Sequence, residues 1–128
     1  MVRGVRISLF ICYDLRFPEL FRAVAPDVDA MFVIANWPAG RRPHWDALLP
    51  ARAIENQCYV VGVNRVGQDG SGHLYSGDSA MIDPRGAVEA VPPGASAVVT
   101  VLFKGDALVD FRAKFPVAME ADAFELKR

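Results

Sequence analysis

Val5-Arg6-Ile7-Ser8-Leu9-Phe10-Ile11-Cys12-Tyr13-Asp14-Leu15-Arg16-Phe17-Pro18-Glu19 is the stretch on which the fold turns. Val5 to Ile11 reads as a buried strand. Val5, Ile7, Leu9 and Ile11 share one face, and Arg6, Ser8, Phe10 and Cys12 share the other. A strand-to-helix junction follows: Pro18 suits a first helical turn, and Glu19 suits the positive end of a helix dipole. Phe17, Leu20, Phe21 and Val24 then recur at helical spacing until Pro26 closes the segment. Met31 to Ala35 is a second apolar run, of the kind a parallel sheet buries on both faces. Strand, helix, strand makes a βαβ unit.

Further along, Asn36 to Pro43 reads as loop, and His44 to Gln57 as a helix that Pro50 should kink or restart. Trp45, Ala47, Leu48, Leu49, Ala51, Ala53 and Ile54 surround most of its axis, which predicts cover on more than one side. Tyr59 to Val63 is another strand, followed by a loop with Gly67, Gly70 and Gly72 as turn glycines. Ser79 to Ile82, Ala87 to Val91 and Ala97 to Phe103 read as strands, separated by the turn signals Asp83-Pro84-Arg85-Gly86 and Pro92-Pro93-Gly94. A short helix near Asp106 to Arg112 and an irregular tail complete the pattern. The reading is α/β at the start and an antiparallel meander at the end. A strand buried on both faces needs neighbours on both sides, and few strands are present to supply them.

At 128 residues the chain makes one modest domain, 52% hydrophobic and 23% charged, with a formal net charge of −1. That charge gives no electrostatic reason to expect nucleic acid or an anionic membrane as partner. No apolar run approaches the ~20 residues of a membrane span. Two cysteines, Cys12 and Cys58, make no disulfide framework, so a reduced, cytoplasmic protein is expected.

Cys12 carries the sharpest chemical signal. It ends a strand just before a turn into a helix, at the carboxyl edge where open α/β sheets place their sites. Backbone N–H groups there favour a thiolate. A small buried hydrophobe is the commoner fate of a free cysteine, and on spacing alone both readings stand. Cys58, among apolar neighbours, reads as core. Arg52 and Glu55 stand three apart on a largely apolar helix and read as a partly buried ion pair. With only His44 and His73 in the chain, no metal site is expected, and no cofactor motif accompanies the glycines.

Ile11-Cys12-Tyr13-Asp14-Leu15-Arg16-Phe17-Pro18-Glu19 resembles the nucleophile motif of the nitrilase superfamily of carbon–nitrogen hydrolases. The resemblance continues in order through Asn36-Trp37-Pro38, Arg42, His44-Trp45, Ala51 to Gln57 and Asn64-Arg65-Val66-Gly67. It then runs through Tyr75 to Ser79, Asp83 to Gly86 and Arg112 to Pro116. Asn-Trp-Pro together with Asn-Arg-Val-Gly is most similar to the omega-amidase branch, whose members cleave terminal amides of short dicarboxylic acids such as α-ketoglutaramate.

The resemblance implies a four-layer α-β-β-α sandwich and a Glu–Lys–Cys catalytic set acting through a thioester. Residues 1–128 would then be the C-terminal half of such a domain, starting at the nucleophile strand. It implies Cys12 as nucleophile, the Tyr13 N–H as an oxyanion donor, and Asn36 and Trp37 as pocket residues. Arg16 is a candidate for the substrate carboxylate, with a structural ion pair to Asp14 or Glu19 as the equal alternative. It implies a small amide substrate and a homo-oligomer formed through the helices after Cys12 and around Trp45 to Ile54.

The family's Glu and Lys lie upstream of its cysteine, and Met1 to Ile11 contain neither. Glu19, Glu55, Lys104 and Lys114 match no catalytic position. Losing the lysine alone would cost on the order of 10²–10³ in rate. The expectation is a weak or inactive hydrolase as this chain, or else a catalytically dead half-domain serving as an interaction module.

Overall fold

A computed structural model describes residues 1–123 and 125. Part of the expected irregular tail, residues 124 and 126–128, lies outside the described residues. Five strands form one mixed sheet in the order β1 (Ile7–Ile11), β2 (Ala30–Ala35), β3 (Tyr59–Asn64), β6 (Ala80–Ile82), β7 (Val88–Ala90). The first three run parallel and the last two antiparallel. Their crossovers are α1 (Pro18–Val24) and α2 (Arg42–Asn56). Strand order that advances one way, with crossovers of one hand, places both helices on the same face.

Register decides which side chains meet those helices. Phe10 pairs with Val33 and Val33 with Gly62, so these three point to one face. There Phe10, Met31, Val33, Val60, Ala80 and Ile82 pack against Phe21 of α1 and Trp45, Leu49 and Ala53 of α2. Phe10 and Phe21 stack with ring centroids 3.9 Å apart. The apolar surfaces of α1 and α2 are therefore largely committed to their own sheet. Phe17, Leu20 and Ile54 are the large apolar residues they leave exposed.

The other face is covered only at one end. Ala30, Tyr59, Ile7 and Phe32 pack with Phe103 and with Leu108 of α3 (Gly105–Lys114). Arg112 ties this helix down, donating to the carbonyls of Gln57 (2.8 Å) and Val28 (3.0 Å). Towards the carboxyl end of the strands the same face is bare: Leu9 is 72% exposed, Ile11 65%, Ile34 54% and Val63 48%. Strands that carry apolar residues on both faces are thus sheltered on one face and half of the other.

Three sequence expectations need correction. α2 starts at Arg42 rather than His44 and runs unbroken through Pro50. The bond that Pro50 cannot donate would go to the carbonyl of Asp46, an exposed residue, where its loss is tolerated. The glycine loop is partly a hairpin, β4 (Val66–Gln68) paired with β5 (Leu74–Ser76). Ala97 to Phe103 is not a strand. Its alternation fits a pleated surface, but a ladder needs a partner edge, and this segment leaves β7 to seat Phe103 against Tyr59 and Phe32 on the far face.

Gly62 sits at the centre of β3, under α2. A Cβ there would lie 2.5 Å from Cδ1 of Leu49 and 2.6 Å from Cζ2 of Trp45. Helix and sheet approach this closely only because the side chain is missing. Gly62→Val should lower stability by about 3 kcal/mol, read as a lower urea midpoint at unchanged slope. An unaltered midpoint would mean that α2 does not rest on β3 in this way.

Candidate active site

Cys12 opens a 3-10 turn, Cys12–Arg16, at the carboxyl end of β1. Its backbone is left-handed, with φ 45°, a conformation that costs a non-glycine residue of order 1–3 kcal/mol. Several contacts enforce it. The Asp14 carboxylate accepts the N–H of Ile11 (2.9 Å), folding the turn back on the strand. Leu15 is fully buried, and its carbonyl accepts a bond from Nη2 of buried Arg52 (2.7 Å). Arg52 also pairs with Glu55 (3.0 Å), as expected, and its guanidinium lies 5.2 Å from the ring centroid of Phe21.

The thiol is partly exposed and reaches the carbonyl of Asn36 (Sγ···O 3.9 Å). Cys12 shares an open depression of about 500 Å³ with Ile11, Ile34, Ala35, Asn36, Val63, Asn64 and Arg65. It lies at the carboxyl ends of the three parallel strands, where such sheets gather their sites. Cys58, by contrast, is fully buried, and desolvation pushes its thiol up to about 12.

The other expected site residues take different places. Tyr13 follows Cys12 in the turn, where the first N–H groups lack acceptors within their own helix. Its ring is exposed. Asn36 lines the depression. Trp37 is 3% exposed and packed in the core, its indole N–H donating to the carbonyl of Arg41 (2.8 Å). Arg16 makes neither of the ion pairs considered, with Asp14 or with Glu19. Its guanidinium stacks on Tyr13 (5.2 Å) and Trp37 (4.8 Å) and donates to Nδ1 of His44 at 3.2 and 3.3 Å. A guanidinium only donates, so Nδ1 is the acceptor and the ring proton sits on Nε2.

Two residues central to this geometry carry no catalytic signature in the sequence. Asn64 accepts the N–H of Trp37 (2.7 Å) and donates to the carbonyls of Trp37 (3.0 Å) and Gly77 (2.8 Å). Its backbone N–H donates to Oγ of Ser79 (2.9 Å). One amide thereby fixes the strand ends on both sides of the depression. Arg65 stands on the rim, stacked on Tyr75 at 4.7 Å. Tyr75 donates to Asp69 (2.8 Å), which also accepts the N–H groups of Ser71 and His73 (2.9 Å each). Those bonds pull the Asp69 carboxyl down to about 2, and the same hydrogen bond raises the Tyr75 phenol above its usual range.

Residues 1–104 match the family model described as carbon–nitrogen hydrolase. The chain belongs to the carbon–nitrogen hydrolase family. It is 49% identical over 125 residues to the omega-amidase YafV of Escherichia coli K12, covering 97% of this chain and 48% of that protein. It is 43% identical over 111 residues to the 2-oxoglutaramate amidase of Paenarthrobacter nicotinovorans, covering 86% of this chain and 37% of that one. The crystal structure of XC1258 from Xanthomonas campestris, a CN-hydrolase superfamily protein with an arsenic adduct in its active site, superposes with a TM-score of 0.91 at 42% identity. That match covers 98% of this chain and 50% of the other. This carbon–nitrogen hydrolase chain spans about half the length of the relatives it matches. Among its described residues no helix is long and apolar enough to cross a membrane.

Two outcomes follow for the site's frame. Asn64→Leu strands the N–H and carbonyl of Trp37 and the carbonyl of Gly77. The expected cost is about 2 kcal/mol, with faster hydrogen exchange at the Trp37 amide. Asp69 is lower in the folded chain than the ~3.9 of an unfolded carboxyl. Its contribution is therefore complete above that value and is lost as the pH falls through about 2. The Ser71 and His73 amide signals should stay hydrogen-bonded at pH 4 and shift only near pH 2. An Asp69→Asn variant whose amide signals still moved there would assign the transition elsewhere.

Proposed function

We propose that this chain carries the nucleophile half of an amidase that cleaves terminal amides of short dicarboxylic and keto acids. The carrying observation is the left-handed Cys12, held by the Asp14 and Arg52 contacts at the mouth of an open depression. Strained nucleophiles on strand-to-helix turns are exposed in this manner for attack. The substrate class rests on the relatives, one an omega-amidase and one a 2-oxoglutaramate amidase.

In this reading the thiol loses its proton to a base, and Sγ attacks the amide carbon. The Tyr13 N–H stabilises the oxyanion as it forms. The C–N bond then breaks as the departing nitrogen takes up that proton and leaves as ammonia, and water hydrolyses the remaining thioester to the free acid. Asn36 lines the substrate side. No cofactor or metal is called on.

The base comes from outside these residues. The bond Sγ makes is to a carbonyl, which cannot take a proton from it. Asp14 is occupied by the Ile11 N–H and Glu55 by Arg52. The bare apolar surface of Leu9, Ile11, Ile34 and Val63 is, in the same reading, where the second β layer of a four-layer sandwich rests. The layer that covers that surface also brings the Glu and Lys. That no base stands beside Cys12 among the described residues favours one other reading, a non-catalytic half-domain that associates through the same surface.

Ammonia release from α-ketoglutaramate or succinamate separates them. The chain alone should release almost none. Co-expressed with the part of the Escherichia coli relative that it does not match, it should turn over, and Cys12→Ala should abolish that. No turnover in the pair supports the non-catalytic reading. Cys12-dependent turnover by the chain alone would place a base within these residues and overturn the proposal as stated.

A further inference from the structure

A substrate with an amide at one end and a carboxylate at the other needs a cation set back from Cys12. Two arginines are near enough to consider, and they are in different states. The Arg16 guanidinium is engaged by two aromatic rings and by His44, and Arg16 does not line the depression. Arg65 lines it together with Cys12 and is exposed on its rim. Among the described residues no carboxylate pairs with Arg65, and its side-chain hydrogen bond is a long one to the carbonyl of Gln68 (3.4 Å).

Its position is nonetheless fixed. The Arg65 N–H donates to the carbonyl of Ala35 (3.3 Å), next to Asn36, whose own carbonyl receives the Cys12 thiol. Asn64, just before it, is locked by its side-chain amide. Beneath the guanidinium lies the Tyr75 ring, held by Asp69 through the phenol. Asp69 spends its charge on Tyr75 and on backbone N–H groups, so the platform orients Arg65 without neutralising it. Ile11, Ile34 and Val63 are in register across the three strands, so Cys12 and Arg65 sit about two strand spacings apart, roughly 10 Å. A short dicarboxylic monoamide attached at Cys12 covers part of that gap, and the long arginine side chain covers the rest.

We propose that Arg65 is the specificity-determining cation of this site, receiving the distal carboxylate of the substrate in a bidentate pair. This selects amides with an anionic far end over neutral ones. The inference rests on the reading of Cys12 as the nucleophile, so its test must tell the two apart without requiring turnover.

Alkylation of Cys12 does so. Iodoacetate and iodoacetamide differ by one negative charge, and intact-mass analysis with peptide mapping separates Cys12 from buried Cys58. Arg65→Gln should lower the iodoacetate-to-iodoacetamide rate ratio about threefold at low ionic strength, the effect of one charge several ångströms away in water. Arg65→Lys should keep the ratio, and 1 M salt should erase the difference. Arg65→Met, which retains an apolar stem over Tyr75, serves as a second neutral variant should the first misfold. A ratio unchanged in the neutral variants, with Cys12 still reacting, overturns the role of Arg65 and leaves the nucleophile reading intact. A Cys12 that reacts with neither reagent overturns both.

Discussion

A cysteine backbone at φ 45° relaxes unless its surroundings deny it the alternatives, and much of this chain is arranged to deny them. The turn is gripped from within by Asp14, which holds the N–H of Ile11, and from outside by Arg52, which reaches across from α2 to the carbonyl of Leu15. Arg52 can make that reach only because α2 is seated closely on β3. That seating depends on Gly62 and on Trp45, whose indole N–H is itself committed to the carbonyl of Asp78 (2.8 Å). The strain at Cys12 is thus balanced by packing some distance away. This is why core residues such as Gly62 bear on a turn they never touch.

The same economy governs the far side of the depression. Asn64 satisfies the ends of two connections with one amide, and Arg65 inherits a rigid backbone from it. The β4–β5 hairpin, closed at its tip by Asp69, presents the Tyr75 ring as a platform. The strands of the hairpin carry no buried residue, and the turn after β1 sinks one side chain, Leu15, into the core. Both are held by short polar contacts to buried or backbone groups, which set orientation more sharply than hydrophobic contact can.

What could be read from the sequence follows from how local each signal is. The strands β1 to β3 and the two crossover helices announce themselves through period and punctuation, because one buried face imposes its period on the residues that cover it. The Arg52–Glu55 pair was legible for the same reason, but its grip on Leu15 was not, since that contact joins residues far apart in sequence. Ala97 to Phe103 misled because β-branched residues record a liking for pleated surfaces and say nothing of whether an edge is free. The position of Cys12 could be read from its motif, while its left-handed backbone could not. Arg65 sat within a recognised motif without a role, because what brings it to the depression of Cys12 is the pairing of strands far apart in sequence. Arg16 drew attention by standing near the cysteine in sequence, where the fold gives it rings and a histidine as neighbours.

Packing and chemistry are incomplete at the same place. Along one face of the sheet β1, β2, β3 and β6 pack against the helices, and along the other α3 covers only the amino ends of the parallel strands. The bare residues Leu9, Ile11, Ile34 and Val63 lie at the carboxyl ends, and Ile11, Ile34 and Val63 line the depression that holds Cys12. A thiol needs a base and a water-poor surround to act as a nucleophile, and an apolar strand face needs cover. One additional layer placed there answers both needs, since the body that buries the apolar residues also closes the depression over the thiol. Activity and stability would then depend on the same contact, so a layer that docks poorly should cost the protein both together.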